Sequence, residues 1–266
     1  MNADQPVETG QTPRSELQPS RDLLTPVLKV FAAIALVVVA VGMLLPATRS
    51  APEAARRNQC LNNLKQIGLA LNNYADVHGR YPPAYTTDDA GNRLHSWRTL
   101  ILPYMEQQAL YKSIDLTKPW NDPANALAAK QTIGVYQCPS LPGDEEDATL
   151  TNYLATVGDD TVIRAGESRT PEEIGDVTRH ALMVIEVRKE KAVHWMSPED
   201  IDAESLLAAW SGEEYRSHHS GDVANALFAD SSYHSLQPTL DPAALRAMIT
   251  VSRDDDGAIS TDEQTY

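Results

Sequence analysis

The sequence predicts an α+β protein tethered by one hydrophobic segment, and three observations carry that prediction. An uncharged apolar run, "VFAAIALVVVAVGMLL", extends from Val30 to Leu45. Behind it, Leu61, Leu64, Ile67 or Gly68, Leu71 and Tyr74 or Ala75 recur at three- and four-residue spacing, which is the stripe of an amphipathic helix. The C-terminal half then reads as β structure, with dense apolar runs of strand length separated by charged or polar turns.

Taken in order, residues 1–22 are polar, with almost no large apolar side chain, and predict a disordered tail. Residues 23–46 predict a transmembrane anchor. The uncharged run alone falls short of the roughly 20 residues that span a bilayer core. Adding Leu23–Leu28, with Lys29 snorkelling toward the interface, brings it to spanning length. A cleavable signal peptide is the competing reading, but its apolar region normally starts close to the initiator methionine, and no clean A-x-A site follows here. A retained single-pass anchor fits better. Arg21 and Lys29 precede the span and Arg49, Arg56 and Arg57 follow it, so the positive-inside rule does not choose an orientation.

Residues 53–250 predict the folded ectodomain. Pro46 and Pro52 bracket a short joint, "ATRSA", with helix resuming near Glu53 and stopping at Gly79 before Pro82 and Pro83. The asparagines at 62, 63, 72 and 73 lie largely off the stripe and are mediocre helix formers. Trp97–Tyr104 reads as strand or short helix, and Met105–Ile114 as helix. Asn121 or Asp122, followed by Pro123, caps the next helix. "GVYQCPS" reads as a short strand and "LPGDEEDATLTN" as an acidic loop. "YLATVG", "HALMVIEVR" and "KAVHWM" read as strands, and "ANALFADSSYHSL" as two strands around Asp230-Ser231-Ser232. A final helix starts at Pro242 with Asp241 as its cap, and residues 251–266 form a polar tail.

The formal net charge of −15 argues against a nucleic-acid partner, since such a surface repels phosphate. The two cysteines, Cys60 and Cys138, have no zinc-type or C-x-x-C spacing. If the ectodomain is exported they could form one disulfide, and closing so long a loop would contribute roughly 4–5 kcal/mol. The alternative is two unpaired core residues. His218, His219, Asp222, Asp230 and His234 are metal-capable types, but adjacent histidines on a strand point to opposite faces. "DDDG", Asp254 to Gly257, lacks the spacing and distal glutamate of an EF-hand loop. Asp222, Asp230 and Asp254 therefore remain weak metal candidates. Ser211 and Ser220 lack a nucleophile elbow, no phosphate loop occurs, and Glu186 and Asp230 stand near strands without a second catalytic motif. No catalytic residue and no cofactor is expected.

The stretch "LLPATRSAPEAARRNQCLNNLKQIGLALNNYADVHGRYPP" (Leu44–Pro83) is long and distinctive. After it come "SWRTLILPYMEQQALY", "YQCPS", "TNYLATVG", "HALMVIEV" and "HSGDVANALFADSSYHSL". In this order they resemble a pilin-like family of unknown function abundant in Planctomycetes, of the domain-of-unknown-function 1559 type and related to type II secretion pseudopilins. The resemblance implies a pilin-like α+β fold: a long N-terminal helix, its first half transmembrane, packed on an antiparallel β-sheet ectodomain. It also implies an extracytoplasmic (periplasmic) ectodomain, and so favours a Cys60–Cys138 disulfide.

One departure stands out. Relatives begin the hydrophobic helix with a prepilin peptidase signature, and its glutamate position is occupied here by Lys29, with Leu24 and Thr25 in place of the glycine and phenylalanine. In pilin assembly that glutamate is thought to neutralise a neighbouring subunit's amine, which a lysine would repel. The expected function is therefore that of an uncleaved, membrane-anchored, non-enzymatic protein associating with envelope or secretion components. An extracytoplasmic small-ligand or calcium-binding module is the alternative. Ser231-Ser232 replaces a glycine-containing turn of the family and leaves the hairpin type open.

Overall fold

The structure, a computed structural model, describes residues 21–141, 145–175, 180–210, 212, 215, 219 and 223–251, with the side chains of 21–25, 37–52 and 145–146 left aside. The chain divides into a unit ending at Ser50 and a unit beginning at Ala51. Helix α1 (Arg21–His78) contributes to both. The interruption expected between Pro46 and Pro52 does not occur. Proline's fixed φ is itself helical, so a helix accepts it at the cost of a hydrogen bond and local crowding.

In the first unit the described apolar side chains of α1 face outward: Val27, Leu28, Val30, Phe31, Ile34 and Leu36 are 49–72% exposed. Among the described residues no helix is long and apolar enough to cross a membrane. Much of the expected span, residues 37–46, has no described side chains.

In the second unit the stripe of α1 buries against a five-stranded sheet. Cys60, Leu64, Ile67, Ala70, Leu71 and Ala75 are at most 2% exposed, while Leu61 and Tyr74 pack at the margin. Gly79, at φ 72°, ends the helix, its N–H bonding to Ala75 O at 2.8 Å. Five short helices and one longer one follow: α2 (Trp97–Leu100), α3 (Gln108–Lys112), α4 (Ala126–Ala129), α5 (Pro171–Ile174), α6 (Ala203–Ala209) and α7 (Pro242–Ile249).

Strands β1 (Tyr85–Thr87) and β2 (Arg93–Ser96) form one hairpin, and β3 (Leu150–Thr151) pairs with β6 (Val193–His194). The main sheet contains β4 (Tyr153–Val157), β5 (Leu182–Glu186), β7 (Ile201–Asp202), β8 (Ala224–Phe228) and β9 (Tyr233–Leu236). Its order is β7-β4-β5-β8-β9, antiparallel throughout except for the two-residue parallel pair of β4 and β7.

Strand periodicity divides this sheet between two cores. Tyr153, Ala155 and Leu227 face α1, whereas Leu154, Ala226 and Phe228 face the side of α6 and α7. A register shift between Leu182 and Val184 breaks the alternation on β5. Met183 and Val184 both enter the α1 core, Leu182 and Ile185 the other. Helices α6 and α7 are capped by Asp202 and Asp241 and joined by Glu204 and Arg246.

The asparagine pairs find a physical account here. Asn63 and Asn72 turn inward while Asn62 and Asn73 are exposed. Asn63 Nδ2 donates to Gln137 O at 2.8 Å. Asn72 Nδ2 donates to Ser231 Oγ at 2.5 Å, and its Oδ1 accepts the Tyr81 hydroxyl at 2.6 Å. Each pair thus sends one residue to clamp a loop, which offsets its poor helix propensity. The second clamp also settles the β8–β9 turn. Ser231 takes the left-handed position, φ 65°, that glycine would fill more easily, and Asn72 holds it there.

Three expected elements differ. The segment expected as a strand around Val135 is a 3-10 turn, Gly134–Tyr136, because Ile133 and Tyr136 both point into the core at three-residue spacing. The Met105–Ile114 helix shrinks to α3, since Glu106 at φ 60° breaks it off from a preceding 3-10 turn. Only Val193 and His194 of "KAVHWM" pair, and Trp195 and Met196 drop into the core.

A buried cation organises the far side of the α1 core. Arg98, at 0% exposure, bonds Asp200 Oδ1 at 2.7 Å and the carbonyls of Tyr153, Trp195, Ser197 and Glu199. The Trp97 indole N–H and the Ala155 N–H reach the same Asp200 oxygen. Burial nevertheless holds the Asp200 carboxyl above the usual carboxylate range, against the pull of Arg98.

Two predictions follow from packing and burial. A Cβ on Gly68 would stand 2.8 Å from Leu227 Cδ1, in a core where Leu227 has no exposure. Gly68→Val should therefore destabilise by about 1–3 kcal/mol in urea unfolding, and a neutral result would show that the helix and β8 can separate freely. His194 donates from Nε2 to Ala129 O at 2.9 Å and accepts the Met196 N–H on Nδ1 at 3.1 Å, so the neutral ring satisfies both. Burial holds its pKa below the ordinary 6.5. A depressed histidine contributes stability that is present above the unfolded pKa and lost as pH falls through the folded one. The stability gap between wild type and His194→Gln should thus narrow as pH drops below 6.5; a constant gap would contradict this.

Candidate functional site

The most concentrated chemistry in the described residues lies where α1 meets the loop after the 3-10 turn. Cys60, on the buried stripe, is disulfide-bonded to Cys138, with Cα atoms 4.9 Å apart across a sequence separation of 78. The loop is fixed from several sides. Gln137 Nε2 donates to Ala148 O at 2.6 Å, the Cys138 N–H to Asn152 Oδ1 at 3.3 Å, and Ser140 Oγ to Glu53 Oε1 at 3.1 Å. The Tyr153 hydroxyl, whose pKa burial and the nearby Glu186 push well up, donates to Cys60 O at 3.3 Å.

His219 packs on the disulfide. Its side chain has no exposure; Nε2 lies 3.6 Å from Cys138 Sγ and 3.3 Å from Glu186 Oε1, and Nδ1 lies 2.9 Å from Glu53 Oε1. Glu186, at the end of β5 and 1% exposed, accepts Asn152 Nδ2 on Oε1 at 3.2 Å and Asn225 Nδ2 on Oε2 at 2.6 Å. Asn225 Oδ1 accepts the Ser235 hydroxyl at 2.7 Å, which in turn accepts from Arg57 Nη2 at 2.7 Å. One polar chain thus links α1, β5, β8, β9 and His219.

The electrostatics follow from this layout. Burial alone would depress the His219 imidazolium, but the carboxylates of Glu186 and Glu53 overcome it and hold its pKa above the ordinary value. Burial would raise the Glu53 carboxyl, yet hydrogen bonds from His219, Arg56 and Ser140 bring it below the usual range.

Beside this cluster an open groove of about 470 Å³ runs along Gln59, Asn63, Gln66, Gln107, Gln137 and Pro139. None of the described residues lining it is titratable. The groove can offer amide hydrogen bonds, and among the described residues it presents no acid–base or nucleophilic pair.

The sequence-predicted residues separate. Asp222 and Asp254 lie outside the described residues, as does His218. Asp230 sits in the β8–β9 turn, where Oδ1 accepts the Ser232 N–H at 2.8 Å and Oδ2 lies 3.5 Å from His180 Nδ1. That is a turn-stabilising role, remote from the cluster. His234, on β9, packs against the Phe228 ring. Lys29 belongs to the exposed stretch of α1. Sequence reasoning missed the roles of Glu53, Asn152, Glu186 and Asn225, and named His219 only as one of several metal-capable residues. A signal for two of the missed residues existed: Glu186 and Asn225 are polar interruptions in otherwise apolar strands, on the face that α1 covers.

Fold and cluster together define a class: an α+β unit whose helix is laid on a largely antiparallel sheet and stapled by a buried disulfide to the loop that follows the 3-10 turn. More narrowly, the chain belongs to the family described as protein of unknown function (DUF1559), whose sequence profile matches residues 49–191, over half of the chain. The match contains Glu53, Cys60, Cys138, Asn152 and Glu186 and ends before His219 and Asn225. No curated protein and no solved structure matches the chain.

Replacing both cysteines by alanine should lower stability by about 4–5 kcal/mol in non-reducing urea unfolding, the loop-entropy value for a closure of this length. A loss under about 1 kcal/mol would mean that the Asn63, Asn152 and Ser140 hydrogen bonds already hold the loop.

Proposed function

We propose that this protein is a membrane-anchored, pilin-like ectodomain protein of the cell envelope, acting by association with envelope or secretion components and without catalysis of its own. The observation that carries the reading is the outward apolar stretch of α1 from Val27 to Leu36, whose large side chains are about half or more exposed. Water is a poor solvent for such a continuous surface, and lipid is a good one. The buried Cys60–Cys138 disulfide supports an oxidising, extracytoplasmic location for the folded unit. The laying of a long helix on an antiparallel sheet supports the pilin-like assignment, in keeping with the resemblance to the Planctomycetes pilin-like family. Lys29, within the exposed apolar stretch, supports a retained anchor rather than a filament subunit.

Native membranes provide the test. The full chain should resist alkaline carbonate extraction, be digested by protease added outside intact spheroplasts, and retain an N-terminus upstream of Thr25 by mass spectrometry. Release by carbonate would overturn the anchor, and a methylated mature chain beginning near Thr25 would overturn the unprocessed state.

A further inference from the structure

Cys60, Cys138, Glu186 and His219 each offer one donor atom, and these four atoms lie within 4.8 Å of one another in the interior, the two sulfurs joined as a disulfide. Two sulfurs, an imidazole nitrogen and a carboxylate oxygen form a donor set that zinc takes in tetrahedral sites. With ordinary zinc–ligand bond lengths, the edges of such a tetrahedron measure roughly 3.3–3.8 Å. The separations from His219 Nε2 to Glu186 Oε1, 3.3 Å, and to Cys138 Sγ, 3.6 Å, already fall in that range.

Two further features go beyond proximity. His219 turns Nε2 toward the other donors and places Nδ1 against Glu53 Oε1 at 2.9 Å, the carboxylate–histidine arrangement that fixes ring orientation at metal centres. Glu186 is likewise oriented by Asn152 and Asn225, which leaves Oε1 facing the imidazole. The donors come from separate segments, α1, the Cys138 loop, β5 and the His219 segment, so a metal there would tie together the same parts that the disulfide and polar chain now join.

We propose that reduction of the Cys60–Cys138 disulfide converts this cluster into a zinc site with Cys60, Cys138, Glu186 and His219 as its four ligands. The two states exclude each other, because each sulfur bonds either its partner or the metal. A phosphine reductant delivers two electrons: the S–S bond breaks, water supplies two protons for the thiols, and its oxygen leaves as phosphine oxide. Zinc then forms two Zn–S bonds and displaces both thiol protons to solvent, together with any proton on Nε2. Nε2 and Oε1 complete the coordination. The site is independent of the membrane reading and stands or falls without it.

Cobalt(II) is the probe, added to the full chain in detergent after phosphine reduction under anaerobic conditions. The reduced wild type should bind one Co²⁺ per chain, with thiolate-to-metal charge transfer and the intense visible bands of tetrahedral cobalt, both abolished by added Zn²⁺. The oxidised chain should show neither. His219→Gln and Glu186→Gln, each checked for an unchanged far-UV circular dichroism spectrum in the oxidised form, should lose the tetrahedral bands or bind at least tenfold more weakly. Glu53→Gln should keep the bands and weaken binding roughly 10–100-fold, as loss of an orienting partner does. Absence of a thiolate band in reduced wild type would overturn the proposal whatever the variants do, and so would an unchanged spectrum and affinity in His219→Gln.

Discussion

A carboxylate buried at the end of an apolar strand is the constraint around which the helix-facing side of this fold is arranged. Glu186 follows Leu182-Met183-Val184-Ile185 and is 1% exposed. An isolated carboxylate in such a place would cost many kcal/mol, so it must be hydrogen-bonded and matched by positive charge. The fold meets the demand from three directions: Asn152 ahead of β4, Asn225 on β8, and His219 from outside the sheet. The β5 register shift belongs to the same arrangement. By sending Met183 and Val184 to one core, it leaves Ile185 and Val187 on the opposite face and turns Glu186 back toward α1.

The second buried charge, Arg98, is handled differently. It is surrounded mostly by backbone carbonyls, with a single carboxylate, Asp200, that also accepts from Trp97 and Ala155. Carbonyls are fixed by the chain path, so Arg98 pins the 195–200 segment to β4 and acts as a geometric clamp. Removing one partner of such a pair typically costs 3–5 kcal/mol, because the other charge is left buried and unmatched. The Glu186 cluster instead uses side chains whose own orientation depends on further side chains. Arg57, Ser235 and Asn225 form one such relay and Glu53 with His219 another, which makes that cluster the more adjustable of the two.

Much of the fold was legible because its signals are local. The α1 stripe, the strands at 153–157, 182–186, 224–228 and 233–236, and the caps at Asp122 and Asp241 each follow from spacing or from one residue's backbone preference. The elements that went astray were decided by distant contacts. Tyr136 is drawn into a 3-10 turn by burial and by its hydroxyl's bond to Arg98 O, and Trp195 leaves the strand pattern for the core. The candidate site was legible only as single letters. Cys60 and Cys138 could be paired on paper, but Glu53 reads as an ordinary helix-start acid, and Asn152 as one more loop residue. Their meaning lies in convergence from positions far apart in the chain, which spacing does not encode.

The arrangement also explains why a disulfide and a polar cluster occupy the same place. The disulfide constrains chiefly the unfolded chain, by closing its loop. The Glu186–His219–Glu53 relay acts in the folded state and holds the His219 ring beside the Cys138 sulfur. Hydrogen bonds from Asn63 to Gln137 O, from the Cys138 N–H to Asn152 and from Ser140 to Glu53 hold the Cys138 loop independently of the S–S bond. Breaking that bond therefore need not release the loop, and the two sulfurs stay near the imidazole and carboxylate that surround them. A covalent staple set among an imidazole and a carboxylate leaves room for the second use proposed above, because the contacts that hold the cysteines together for oxidation would also hold the reduced thiolates beside those two donors.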